Sequence, residues 1–155
     1  MADIATRLAT EGDLEDLRTI FRRASLSNEG DRANLLGSPE TLLWVGDGLA
    51  TGRTRVATDS SGRALGFASV IPIDGGLELE DLFVDPEVMR QGVATRLILD
   101  LVGDAARDGV AWIEVTANEH AAGFYASAGF VRVGEEQTLF GPAPRLRRDV
   151  DFSGG

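Results

Sequence analysis

The chain has 155 residues, 43% hydrophobic and 26% charged, the composition expected of one globular domain spanning residues 1–155. Its basic residues are all Arg, and 15 of them against 25 acids give a net charge of −10, which argues against nucleic acid and fits either cationic molecules as partners or no more than solubility. With no Cys, no Lys and one His, the composition excludes thiolate nucleophiles, Cys-ligated zinc, multi-histidine metal sites, Schiff-base chemistry and the Walker A lysine.

From the amino end, "IATRLAT" is predicted as a strand. "EGDLEDLRTIFRRASL" reads as a helix, with Leu14, Leu17, Phe21 and Ala24 at helical spacing and acids in the first turn. Residues 27–50 hold Gly, Ser, Pro and short apolar clusters, which predicts a loop with one or two short helices. "RTRVATD" and "RALGFASVIPI" form a hairpin through "SSG". "LELEDLFV" alternates and then turns continuously apolar, the pattern of a strand that begins half solvated and ends buried on both faces. "GVATRLILDLVGDAARDG" places Val93, Leu97, Ile98, Leu101, Val102 and Ala105 on one helical stripe, and Gly109 stops it. "VAWIEVT" is a further buried strand. Asn118 is predicted to cap a short helix, "EHAAGFYASA", on which His120 is read as a surface residue. "FVRVG" and "RLRRDVDF" read as the last strands. Strands alternating with helices predict an α/β layer fold.

The junction "DPEVMRQGVATRL" carries the clearest chemistry. A helix start has unpaired N–H groups and the positive end of a dipole, so it holds phosphate without needing a cationic side chain. Gly92 lets the backbone come close to an anion, Ala94 keeps the first turn uncrowded, and Arg90, Arg96 and the Thr95 hydroxyl can add hydrogen bonds. A plain strand-to-helix turn needing a glycine would carry the same letters. "GDGLATG" at 46–52 lacks the G-x-G-x-x-G spacing and a preceding strand, so it is not read as a dinucleotide site.

The strand before this junction and the segment "VTANEHAAGFYASAGF" after it together resemble the GNAT superfamily of N-acetyltransferases. The family's loop, Gln/Arg-x-x-Gly-x-Gly/Ala, aligns with Met89, Arg90, Gln91, Gly92, Val93 and Ala94. Its later Asn, Tyr and Gly-Phe align with Asn118, Tyr125 and Gly129-Phe130. Met89 departs from the family's polar residue, which a cradle built from backbone amides tolerates. The resemblance implies a mixed, largely antiparallel sheet of six or seven strands flanked by about four helices. It also implies acetyl-CoA as co-substrate, with no metal.

On that resemblance, the pantetheine arm pairs with the main chain of Leu82 and Val84, and the oxyanion forms near the Leu82 and Phe83 amides. The phosphates sit on residues 89–94 and Thr95, Asn118 belongs to the cofactor site, and Tyr125 stands at the acid position facing the leaving thiolate. The amine must lose a proton, because with a pKa near 10 only about one molecule in 10³ is neutral at pH 7. Glu80 is the preferred base among Glu78, Glu80 and Asp81, since burial at the strand's midpoint would raise its pKa, an ion pair with a nearby Arg being the alternative for this residue.

The expected function is acetyl transfer to a primary amine of a small, cationic molecule. A non-catalytic acyl-CoA-binding or interaction module is the alternative. No apolar run reaches membrane length and the start lacks a signal-peptide plan, so the expectation is a cytoplasmic protein without a membrane partner, homodimerisation being left open.

Overall fold

The computed structural model describes residues 3–27, 44–138 and 141–150. Residues 28–43, most of the stretch read as a loop with short helices, lie outside them, and so does the side chain of His120. The strands are β1 (Ala5–Leu8), β2 (Thr54–Thr58), β3 (Ala64–Ile73), β4 (Gly76–Val84), β5 (Trp112–Thr116), β6 (Val131–Thr138) and β7 (Gly141–Asp149). The described helices are α1 (Leu14–Ser27), α2 (Val93–Arg107) and α3 (Glu119–Ser127). The strand order in the sheet is β1-β2-β3-β4-β5-β7-β6. β4 and β5 run parallel, while the β1–β2, β2–β3, β5–β7 and β6–β7 neighbours are antiparallel. This is the α/β fold that the alternation of elements predicted and the mixed, largely antiparallel sheet that the resemblance implied, with seven strands and three helices among the described residues, where about four helices were expected.

The chain divides into two compact units, Met1–Ser69 with Asp81–Leu97 and Val70–Glu80 with Ile98–Gly155. In the first, Leu17 and Ile20 of α1 are buried with Ala9, Trp44, Leu49, Val56 and Phe67, and Leu14, Phe21 and Phe83 pack against that cluster. The predicted stripe of α1 is therefore the stripe that folding uses. Phe67 is central, its ring 4.6 Å from Trp44 and 5.7 Å from Phe83.

In the second unit the inward positions of β5 and β7, Ile113, Val115 and Leu146, are buried with Leu79, Tyr125 and Phe130. β6 and β7 extend further than predicted, meeting in a hairpin with Thr138 opposite Gly141. β7 contains Pro142 and Pro144, although proline donates no hydrogen bond to a ladder. Both precede Arg145, where the pairing of β7 with β5 begins, so the missing N–H groups are not required on that side.

Candidate active site

The junction folds as predicted: β4, one 3-10 turn at Pro86–Val88, a short loop, then α2 from Val93. Arg90 and Gly92 both take left-handed backbone, at φ 65° and 87°. Glycine does so without penalty, and a Cβ built on Gly92 would meet no atom within 4 Å, so this turn faces open space. Arg90 does so with a side chain, a strain on the order of 1–3 kcal/mol. The Arg96 amide donates to the Gly92 carbonyl at 3.0 Å, and the amides before it have no partner inside the helix. Gly92 has no side chain with which to cap them. α1 and α3 carry Glu15, Asp16 and Glu119 in their first turns, whereas α2 has no acid there. In a chain of net charge −10, α2 thus has a positive end that no acid of its own first turn offsets. Met89, Arg90, Gln91, Gly92 and Thr95 are exposed, Ala94 is half-buried, and Val93 is buried, so Val93 can offer a ligand only its backbone.

Leu82, Phe83 and Val84 are half-buried, not sealed on both faces as their apolar run predicted. The β4–β5 ladder comprises Leu77 with Ile113 and Glu78 with Glu114, so the later part of β4 has left it. The other side is pinned: the Asp85 amide donates to the Leu65 carbonyl at 2.8 Å. At Gly66, β3 approaches so closely that a Cβ would lie 2.8 Å from the Phe83 carbonyl oxygen, which only glycine avoids. Main-chain groups freed in this way can take an added strand.

The three carboxylates of "LELED" have different surroundings. Glu78 accepts from both terminal nitrogens of Arg145, at 2.6 and 2.5 Å. Glu80 is exposed, so the burial predicted for it is not found; the alternation of β4 turns it outward. Asp81 carries the desolvation instead. Burial raises its pKa above the ordinary value, opposed by hydrogen bonds from Trp44, whose Nε1 donates to Oδ2 at 2.9 Å, and from Ser69.

In the second unit, Asn118 caps α3 as predicted, its side-chain oxygen accepting from the Ala121 amide at 2.8 Å. That oxygen is committed, which leaves the NH₂ group for a ligand. The Tyr125 ring is buried edge-to-face against Phe124 and Phe130, at 5.2 and 5.3 Å. Among the described residues no fully buried side-chain polar atom lacks a partner, and none bonds the Tyr125 hydroxyl, so that hydroxyl reaches solvent. Burial pushes its pKa up to about 12. Arg145 also holds Glu114 and Thr116, at 3.0 and 2.8 Å, and Arg147 holds Glu114 at 2.6 Å while lying over Trp112. Burial pushes the Glu114 pKa up, but hydrogen bonds from Arg147 and Arg145 outweigh it and hold the carboxyl below its ordinary range. Among the described residues no group of three His, Asp or Glu is placed to hold a metal ion.

The model of the GNAT acetyltransferase domain matches residues 49–141, which include β4, the loop, α2, Asn118 and Tyr125. The chain belongs to the GNAT family. It is 33% identical over 103 residues to the N-alpha-acetyltransferase RimI of Mycobacterium tuberculosis, a stretch covering 61% of this chain and 65% of that protein. It therefore spans just under two thirds of that relative's length. Two solved structures share the fold. PaiA N-acetyltransferase from Thermoplasma acidophilum, in complex with coenzyme A, superposes with a TM-score of 0.72 at 18% identity, over 95% of this chain and 99% of that one. The ribosomal-protein-S18-alanine N-acetyltransferase from Escherichia coli gives 0.68 at 23% identity, over 97% and 95%.

For this GNAT chain, the structure brings the predicted loop residues Met89 to Thr95 together with Leu82, Phe83 and Val84 in the first unit, while Asn118 and Tyr125 belong to the second. Sequence reasoning missed Trp44, Asp85, Glu114 and Arg145. An Asp before Pro is a turn signal that could have flagged Asp85, whose side chain accepts from the Glu87 amide. The partners of the other three are remote in sequence, and no local pattern marks them.

Proposed function

We propose that this chain transfers the acetyl group of acetyl-CoA directly to a primary amine. The observation that carries the reading is the acid-free, uncapped start of α2 beside a β4 segment that has left its ladder. The coenzyme A held by the PaiA neighbour supports it. On this reading the pantetheine arm pairs with Leu82 and Val84, and the pyrophosphate lies on the amides of residues 91–95 with Arg90 and Thr95 at its rim. The amine nitrogen attacks the thioester carbonyl, the oxyanion develops at the Leu82 and Phe83 amides, and the C–S bond breaks. Tyr125 hydrogen-bonds the departing thiolate. The amine's proton passes through water to Asp81, whose raised pKa suits it to the task better than exposed Glu80 or Arg145-bound Glu78.

Gly92→Glu tests the cradle, because it sets a carboxylate where the pyrophosphate would lie. Calorimetry should find little coenzyme A binding, whereas Gly92→Ala, which introduces only the backbone strain of φ 87°, should retain more. Equal affinity in the Glu variant and the wild type would remove the cradle.

A small cationic amine is the acceptor that the charge of −10 favours. Its KM should rise with ionic strength, since exposed charges are screened beyond about 10 Å at 0.1 M salt. A salt-independent KM would point to a neutral or anionic acceptor. The similarity to the N-alpha-acetyltransferase RimI favours a second reading, the α-amine of a protein N-terminus. Thiol release from acetyl-CoA with small amines and with short peptides bearing a free N-terminus separates the two. Coenzyme A binding without turnover on either set would leave the non-catalytic module.

A further inference from the structure

We propose that Asp85 is a positioning residue for the phosphate loop, acting through Arg23 and Arg63; the proposal rests on the acetyl-CoA reading of that loop. Asp85 stands where β4 ends. Its side chain is 4% exposed, against 39% for Arg23 and 49% for Arg63. One carboxylate oxygen takes Arg23 of α1 at 3.0 Å and Arg63, the residue before β3, at 3.1 Å. The other accepts from the Glu87 amide at 3.0 Å. Glu87 joins the same two guanidinium groups, at 3.2 and 2.9 Å. A buried carboxylate with both oxygens engaged ties α1, the entry to β3 and the 3-10 turn to one point.

The place of this brace gives it its function. The loop's far end is fixed by buried Val93 in the first turn of α2. Between the two anchors lie residues 89–92, two of which take left-handed backbone, so the direction in which their amides point depends on how the chain enters. The brace holds that entry. It contains two Arg and two acids and so has no net charge of its own, which leaves direction rather than charge as its contribution to an anion nearby.

This separates positioning from simple electrostatics by sign. Asp85→Asn keeps an oxygen for the Glu87 amide but removes a negative charge close to an anion site. By Coulomb attraction alone it would tighten coenzyme A binding. If Asp85 positions the loop, binding weakens, on the order of tenfold or more.

The experiment measures coenzyme A affinity by calorimetry, and turnover with acetyl-CoA and with acetyl-pantetheine, which lacks the nucleotide. For Asp85→Asn the expected result is weaker coenzyme A binding, a raised KM for acetyl-CoA, an unchanged kcat and wild-type turnover of acetyl-pantetheine. Arg63→Met should show the same pattern and add little on top of Asp85→Asn, because both remove one brace. Should Asp85→Asn fail to fold, Glu87→Gln, altered at an exposed side chain and likewise taking a negative charge from the brace, carries the same test by sign. Equal or tighter coenzyme A binding in a folded variant, or a parallel loss with acetyl-pantetheine, would overturn the proposal. Absence of coenzyme A binding in the wild-type protein would instead remove the reading beneath it.

Discussion

Tyr125→Phe should lower kcat by on the order of 10²–10³-fold while leaving the melting temperature and coenzyme A affinity close to wild type. The ring supplies the packing, edge-to-face with Phe124 and Phe130, and Phe retains it. The hydroxyl has no protein partner among the described residues and reaches solvent, so its loss orphans nothing. Its pKa of about 12 also refines the role. Full proton transfer to a thiolate of pKa about 8.5 would be uphill by roughly 5 kcal/mol, so in the proposed mechanism the hydroxyl would stabilise the leaving sulfur as a hydrogen-bond donor. It stays protonated across the whole physiological range, and kcat should show no alkaline limb from this group below about pH 11. Stability supplies an independent check. Between the unfolded value of about 10 and the folded value of about 12, the native state keeps a proton that the unfolded chain has lost. Wild type should therefore lose about 3 kcal/mol over that window relative to Tyr125→Phe, and none of it below pH 10. Wild-type turnover in the variant would reduce Tyr125 to packing.

The same contrast between local and distant information runs through the whole chain. The α1 stripe of Leu14, Leu17 and Phe21 and the α2 stripe from Val93 to Ala105 were readable because a helix repeats its buried face within a few residues. The strand–Gly–helix junction from Met89 to Thr95, the proposed phosphate loop, was readable for a related reason: its parts are contiguous, and such a junction states its own geometry. The ion pairs were not readable. Arg23 and Asp85 lie 62 positions apart and Arg145 and Glu78 lie 67, and one sequence holds no record of which charges meet. β4 shows the boundary case. Its alternation fixed that Glu80 and Asp81 face opposite ways, but choosing the more buried one required Trp44, brought to Asp81 from 37 positions away.

That choice makes Asp81→Asn the variant with the second large expected effect, a loss in kcat/KM on the order of 10²–10⁴-fold near neutral pH. The loss should shrink as pH rises, because more of the acceptor amine is then already neutral and needs no base. Glu80→Gln, altered at an exposed position, should give a profile parallel to wild type. Stability should move the opposite way from activity. Burial raises the Asp81 pKa, so the native state holds its proton at pH values where the unfolded chain, near 3.8, has released it. Stability is therefore lost as pH climbs from about 3.8 through the folded value, and at neutral pH the protein carries a desolvated charge. Asn is nearly isosteric, can still accept from the Trp44 indole and removes that charge, so the variant should melt higher than wild type at pH 7 and lose the advantage in acid. A residue that costs stability and supplies activity is what a general base at this position requires. A variant that melts higher with unimpaired turnover would mark Asp81 as a structural carboxylate and return the proton to Glu80; one that melts lower at pH 7 would show that the hydrogen bonds from Trp44 and Ser69 outweigh the desolvation.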